Sequence, residues 1–264
     1  MYGNKKSDNT LNPNYMTTFL KNAQIEEFKQ LLNLIDEVYL KIKKPLEILD
    51  IGVGDGRIPL MLSKNKFMEK ISLFVGIENS LIEFNKATNV MLKSKLNEKV
   101  KIAYFNALDL GKKGANKIVN QKYDLIICTY FTPGNFKPDG IRIGTNKGNR
   151  IAPYSKDSLD PNKNFIKVFK SAHEMLAFDG KIFLGSIYID TDENRKRQEE
   201  FYKKCGMTVI TSENDSFTAT KEGFWSQRFT KERLYQYLSW IHKDKIKFIP
   251  LDNYNFAQAI IISK

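Results

Sequence analysis

The strongest constraint on this chain is a rhythm of two alternating periods. Short apolar runs that read as buried strands recur at LEILDI (46–51), ISLFVGIE (71–78), KVKIAYF (99–105), KYDLIICTY (122–130) and DGKIFLGSIY (179–188). Between them apolar residues fall three and four apart, the spacing of one helical face. One such face is Ile25, Phe28, Leu32, Ile35, Tyr39 and Ile42, closed by Pro45. A second follows Gly56 with Ile58, Met61 and Leu62, where Pro59 is tolerated in the first turn. A third is Leu81, Phe84, Thr88, Met91, Leu92 and Leu96; a fourth, capped by Asp160 ahead of Pro161, is Phe165, Phe169, Ala172 and Leu176. Strands alternating with helices predict a parallel sheet covered on both faces. The C-terminal KIKFIPLDNYNFAQAIIIS reads as two strands about a turn. The expected fold class is therefore α/β, three layers about a seven-stranded, mostly parallel sheet, with one antiparallel strand from the C-terminal hairpin.

The first strand ends in Asp50-Ile51-Gly52-Val53-Gly54-Asp55-Gly56. In an open parallel sheet, ligands bind beyond the carboxyl ends of the strands, where strand order reverses. Glycine lets a ligand approach with no Cβ in the way, and the following helix offers free N–H groups. A dinucleotide loop is spaced G-x-G-x-x-G. This loop is G-x-G-x-G and carries Asp50 and Asp55, a poor match to a pyrophosphate and a better one to a cation.

That departure carries a resemblance. LDIGVGDGR resembles the first motif of the class I S-adenosylmethionine-dependent methyltransferases, an acid and an apolar residue before G-x-G-x-G. VGIENS places Glu78 and Asn79 at the end of the second strand, YFNALDL resembles the third motif, and MLAFDGKIFL resembles the entry to strand five with Asp179 replacing a glycine. RFTKERLYQYL resembles the helix before the final hairpin, so the likeness spans about residues 45–264. The resemblance implies a Rossmann-like fold and S-adenosylmethionine as cofactor. It implies Glu78 on both ribose hydroxyls, Asp50 on the ammonium directly or through water, and Asn106 on the adenine amino group, with Ala107 and Leu108 against the ring. Gly52, Gly54, Gly56, Arg57, Asn79 and Thr129 complete the implied cofactor set.

The family places its acceptor just after strand four, here CTYFTPGNF. The D/N-P-P-Y/F motif of base-amine methyltransferases is replaced by Thr132-Pro133-Gly134-Asn135-Phe136, which argues against that acceptor class. Tyr130 is the leading catalytic candidate and Asn135 a second. His173 lies within the helix before strand five, away from the strand ends, and His242 reads as a helix-end cation. The expected organisation is an N-terminal arm and helix over 1–44, with Tyr15, Met16 and Phe19 as a candidate lid, and a cofactor domain over 45–264. Insertions over 132–160 and 188–229 would lie on the ligand side. Residues 191–204 read as a charged helix, 207–229 as an irregular hairpin turning near Asn214-Asp215, and Thr230 as the cap of a helix bearing Leu234, Tyr237, Leu238 and Ile241. Phe217, Phe224, Trp225, Arg228 and Phe229 read as a pocket for a planar or anionic small molecule, as a surface that stacks bases, or as a satellite core beneath the insertion.

Composition narrows the partners. The chain has 264 residues, enough for one large α/β domain, and a formal net charge of +12. The lysines are dispersed, so the charge permits nucleic acid as a partner without marking a tail. Apolar runs such as Ile260-Ile261-Ile262 are too short to span a bilayer, and MYGNKKSDNTLNPNYMTT lacks the apolar centre of a secretory signal. Cys128 and Cys205 are far apart, with no metal or disulfide spacing; a reducing, cytoplasmic setting and no metal are expected. The favoured function is methylation of a small molecule at nitrogen or oxygen. An RNA or protein methyltransferase and a non-catalytic cofactor-binding subunit are the alternatives. A nicotinamide oxidoreductase is disfavoured by the glycine spacing.

Overall fold

The computed structural model describes residues 14, 16–112, 117, 119–138, 161–211, 215–253 and 255–264. Tyr15, Asn214 and residues 139–160, including the expected cap Asp160, lie outside the described residues. The order of elements is α1 (Thr18–Ile42), β1 (Leu46–Ile51), α2 (Arg57–Lys64), β2 (Ile71–Glu78), α3 (Leu81–Lys93), β3 (Val100–Tyr104), β4 (Tyr123–Cys128), α4 (Lys163–Glu174), β5 (Leu176–Tyr188), α5 (Asp192–Lys204), β6 (Phe217–Ala219), β7 (Trp225–Gln227), α6 (Lys231–Tyr237), β8 (Ile246–Pro250) and β9 (Ala257–Ser263).

Seven strands form one sheet in the order β3-β2-β1-β4-β5-β9-β8. β1 to β5 pair in parallel, whereas β9 runs antiparallel to both β5 and β8. This is the expected mostly parallel sheet with one reversed strand. Strand order reverses between β1 and β4, which opens a crevice beyond their carboxyl ends.

The period of two sorts side chains onto the two faces. Ile48, Leu125, Ile127 and Phe183 pack with α1, α2 and α3 on one side. Leu49, Ile51, Ile126, Ile182 and Leu184 pack with α4 and α6 on the other. Both faces are dry, so each of these side chains contributes roughly 1.5–3 kcal/mol by burial.

Helix registers depart from the sequence reading in several places. α1 starts at Thr18, capped by Thr17, and buries Leu20, Ala23, Glu27, Leu31, Leu34, Ile35 and Val38; Ile25 is 70% exposed. A carboxylate in the middle of the true face hid it from a hydrophobicity pattern. α3 buries Glu83, Ala87 and Met91, whereas Leu81 and Leu92 are exposed. The reason is close packing: a Cβ at Gly56 would stand 3.3 Å from Ala87 Cα, so only a small residue fits on that face. α4 is capped by Asn162, whose side chain accepts from Phe165 N at 3.1 Å. Leu176 belongs to β5, paired with Tyr123, rather than to the helix. His242 lies past α6 at the start of the short 3-10 turn Lys243–Lys245, where its side chain makes no cap bond; it stands beside Asp244, with Nδ1 and Oδ1 2.6 Å apart. Residues 208–210 pair back on 219–221, and a second turn joins β6 to β7.

Candidate active site

The loop after β1 is tied to β2 before any ligand arrives. Gly52 N and Val53 N donate to Ile77 O at 2.9 and 3.1 Å, and Gly54 N donates to Glu78 Oε2 at 3.1 Å. Gly54 has φ of 57°, and a Cβ there would meet nothing within 4 Å; the space beyond is open. Gly56 differs: its place is the contact with α3, not the opening.

A cavity of about 440 Å³ lies over this crest, within the range of small-molecule sites. The β1 loop gives it Gly52, Gly54 and Arg57, and the end of β2 gives Glu78 and Asn79. The β3 loop adds Asn106, Ala107 and Leu108, and the β4 loop adds Thr129, Tyr130 and Asn135. Asp50 and Gly56, expected at the cofactor, are not on this wall.

Glu78 is the best-held group in the cavity. Oε1 accepts from Asn79 N at 2.9 Å and Ser80 N at 2.8 Å, and Oε2 accepts from Gly54 N. A carboxylate offers about four lone-pair sites, so Oε2 keeps one for a ligand. Burial raises the Glu78 pKa, and these backbone donors oppose the rise. Asn106 Oδ1 accepts from Leu108 N at 3.0 Å and keeps its second lone pair.

The turn after β4 forms the other wall. Tyr130 and Phe131 have φ of 52° and 64°, left-handed values that cost an L residue roughly 1–2 kcal/mol each. The Tyr130 hydroxyl lies 3.4 Å from Met61 Sδ, and the Arg57 guanidinium stands 5.3 Å from its ring centre. Gly134 seats this turn on β7, where a Cβ would come within 2.8 Å of Gln227 O. Asn162 Nδ2 donates to Phe136 O and Gln227 Oε1, both at 2.8 Å, and so locks turn, α4 and β7 together.

Solved structures share this architecture. An S-adenosylmethionine-dependent methyltransferase from Clostridium acetobutylicum superposes with a TM-score of 0.56 at 13% identity, over 91% of each chain. The plantazolicin methyltransferase BpumL, solved with SAH, gives 0.53 at 14% identity over 98% of this chain and 89% of its own. The magnesium protoporphyrin IX methyltransferase of Synechocystis, also with bound SAH, gives 0.51 at 10% identity over 94% of this chain and 88% of its own. The chain has the fold of these methyltransferases. No family model matches its sequence, and no curated protein does.

Within this methyltransferase fold, three placements differ from the residue-by-residue expectation. Asp50 is fully buried beneath the crest, and neither carboxylate oxygen has a hydrogen-bond partner among the described residues. Burial, then the charges of Glu78 and Glu27, raise its pKa well above the ordinary value. It sits under the loop and does not line the cavity. Of the insertion's aromatics, Phe224 and Trp225 line the cavity, together with Met207. Phe217 and Phe229 are core, and Arg228 is buried, donating to Gln198 Oε1 and Thr218 Oγ1 at 2.7 Å each and to Asp190 Oδ1 at 3.2 Å. Pocket and satellite core are thus both present, divided between these residues. Phe19 packs on Phe256 and under the Arg197 guanidinium, and no described residue of 14–42 lines the cavity.

Sequence reasoning missed Glu27. It is 1% exposed; Oε1 accepts from Tyr130 N at 3.0 Å, and Oε2 accepts from Ser186 Oγ. Burial lifts its pKa to about 7, against the pull of those two donors. Its signal was its position, four residues after Ala23 and four before Leu31, on a row that is otherwise apolar. His173 is on α4, away from the cavity, and burial lowers its pKa. Cys128 and Cys205 are buried, and neither is in a disulfide. Among the described residues no cluster of His, Cys, Asp and Glu could hold a metal, and no helix is long and apolar enough to cross a membrane.

Proposed function

We propose that this chain binds S-adenosylmethionine over the crest and is a methyltransferase acting on nitrogen or oxygen of a small molecule held beside Tyr130 and Asn135. One observation carries the reading: a single cavity runs from Gly54 and Glu78 to the turn after β4 and on to Phe224 and Trp225. Donor and acceptor would share one partly apolar space. The small molecules named for two of the similar structures, plantazolicin and magnesium protoporphyrin IX, support this by analogy alone.

The residues present fit the cofactor. Gly54 leaves open the space that any Cβ would fill. The spare lone pair of Glu78 Oε2 would take a ribose hydroxyl, and engaging both hydroxyls requires release of a backbone donor. Asn106 would accept from the adenine amino group, with Ala107 and Leu108 on the ring. Arg57, paired with Asp55 at 3.4 Å, would meet the methionyl carboxylate. S-adenosylmethionine supplies a methyl group on a sulfonium that is already a good leaving group. The protein's part is to hold the acceptor in line at about 3 Å and to exclude water. Burial raises the Tyr130 phenol above its ordinary pKa, so it stays protonated and serves to orient an acceptor rather than to deprotonate it. Asn135 borders the same space.

Calorimetry tests the reading. Wild-type protein should bind S-adenosylmethionine, and Glu78→Ala should weaken binding at least about tenfold, the loss of a charge-assisted hydrogen bond. No binding by the wild type would overturn it. The net charge of +12 favours a second reading, an RNA acceptor. RNA binding that falls steeply with salt would support it, and no binding at low salt would discard it.

A further inference from the structure

We propose that Glu27 is a positioning residue for the transfer site, holding the Tyr130 turn from beneath so that helix α1 becomes part of the acceptor wall. This rests on the reading above only in treating the cavity as the place of transfer.

The contacts are specific. Glu27 reaches from α1 to the carboxyl ends of two neighbouring strands. One oxygen accepts from Tyr130 N at 3.0 Å, the other from Ser186 Oγ. Both partners stand in the left-handed region, Tyr130 at φ 52° and Ser186 at φ 46°, and Phe131 follows at 64°. The β5 partner is a bulge, since its register against β9 shifts between Leu184 and Ile187. The bulge leaves a notch for the carboxyl: a Cβ on Gly185 would stand 2.6 Å from Glu27 Cδ.

A purely structural staple would not need a carboxyl here. Burying one costs several kcal/mol unless it is well paired, and an apolar side chain would serve the surrounding core better. What a leucine would not provide is two fixed acceptors. Without them the Tyr130 N–H is left unsatisfied in a buried place, at about 1–3 kcal/mol, and the left-handed turn loses its anchor. Tyr130 lines the cavity and Glu27 does not, so Glu27 acts through Tyr130.

The titratable groups that feel its charge are Asp50 on β1, Cys128 on β4 and Tyr130. Glu78 lies beyond Asp50, and Arg57 and Asp55 lie across the Tyr130 ring. A cation arriving on the cavity side would favour the ionised carboxylate and lower its pKa. By linkage, ionised Glu27 would favour the cation.

The test follows the Tyr130 amide resonance of the nitrogen-15-labelled full chain across neutral pH. In the wild type it should titrate with a midpoint near 7, the value to which burial lifts Glu27. Glu27→Gln, which keeps an acceptor, should abolish the transition and keep the amide protected from exchange. Glu27→Ala should speed that exchange at least about tenfold. Saturating S-adenosylmethionine should move the wild-type midpoint downward, and SAH, with its neutral sulfur, should move it less. A resonance that does not titrate, or a midpoint unmoved by S-adenosylmethionine that is shown to bind, would overturn the proposal. Absence of S-adenosylmethionine binding would instead sink the cofactor reading, while the amide titration would still report on Glu27.

Discussion

Replacing Glu27 by Gln isolates what burying its charge costs the fold. The ordinary glutamate pKa is 4.5, and the folded protein lifts this one to about 7. Below pH 4.5 both folded and unfolded chains hold the proton, and no penalty applies. Between these values the unfolded chain has released its proton while the folded chain keeps it, so stability falls as pH rises. The fall is complete once pH passes the folded value. At about 1.4 kcal/mol per pKa unit, a shift of that size corresponds to about 3 kcal/mol. Glutamine never ionises and offers Oε1 to the same Tyr130 N–H. The stability of Glu27→Gln relative to wild type should therefore rise from near zero in acid to about 3 kcal/mol above neutral pH. Urea unfolding of both proteins at a series of pH values measures this, provided the denaturant slope stays the same. Asp50 shifts in the same direction and feels the charge of Glu27, so the same comparison repeated with Asp50→Asn in both proteins separates the Glu27 contribution from the coupled one. A stability difference that does not change with pH, or one that turns against glutamine in alkali, would refute the claim that Glu27 is buried with a raised pKa.

Four further outcomes follow from the geometry. Gly54→Ala should lower S-adenosylmethionine affinity at least about tenfold with a stability loss of roughly 1–2 kcal/mol from its left-handed backbone. Gly56→Ala should chiefly lower the melting temperature, because its Cβ would crowd Ala87 and Met91; calorimetry and thermal unfolding of the two variants separate these roles. Arg228→Met should destabilise the fold by roughly 1–3 kcal/mol, since it leaves Gln198 Oε1 and Thr218 Oγ1 without their charged donor while Asp190 keeps Arg233 at 2.9 Å, yet leave cofactor affinity within about threefold, as read by urea unfolding and calorimetry. Both thiols are buried, and burial raises both pKa values; a thiol reagent should label neither until the protein is unfolded, which absorbance of the released product reads directly.

Much of this protein is written in local pattern. Strand runs such as LEILDI and KYDLIICTY alternate with helical spacings, and that alternation alone determined a parallel sheet with helices on both faces. The terminal IKFIP and AQAIIIS runs with their turn determined the reversed strand. Gly52 and Gly54, the acid at 78 and the residues 106–108 all line the cavity, because each follows a strand end and strand ends share one side of the sheet. Which face of a helix turns inward was less legible. In α1 the buried row contains a glutamate, and in α3 it runs through Ala87, so a count of large apolar residues placed Ile35 and Met91 inward correctly but set the stripe off-centre, taking in the exposed Ile25, Leu81 and Leu92. Local periodicity reports an average over a window, and a single polar or small residue with a tertiary purpose is invisible to it. The surroundings of Asp50, Gly56, Glu27 and Arg228 were decided only by the assembled structure. Each depends on a partner distant in the chain: Glu78 and Glu27 for Asp50, Ala87 for Gly56, Tyr130 and Ser186 for Glu27, and Asp190 and Gln198 for Arg228. Burial and hydrogen bonding between such partners exist only once the strands have been set side by side, which no stretch of sequence can express by itself.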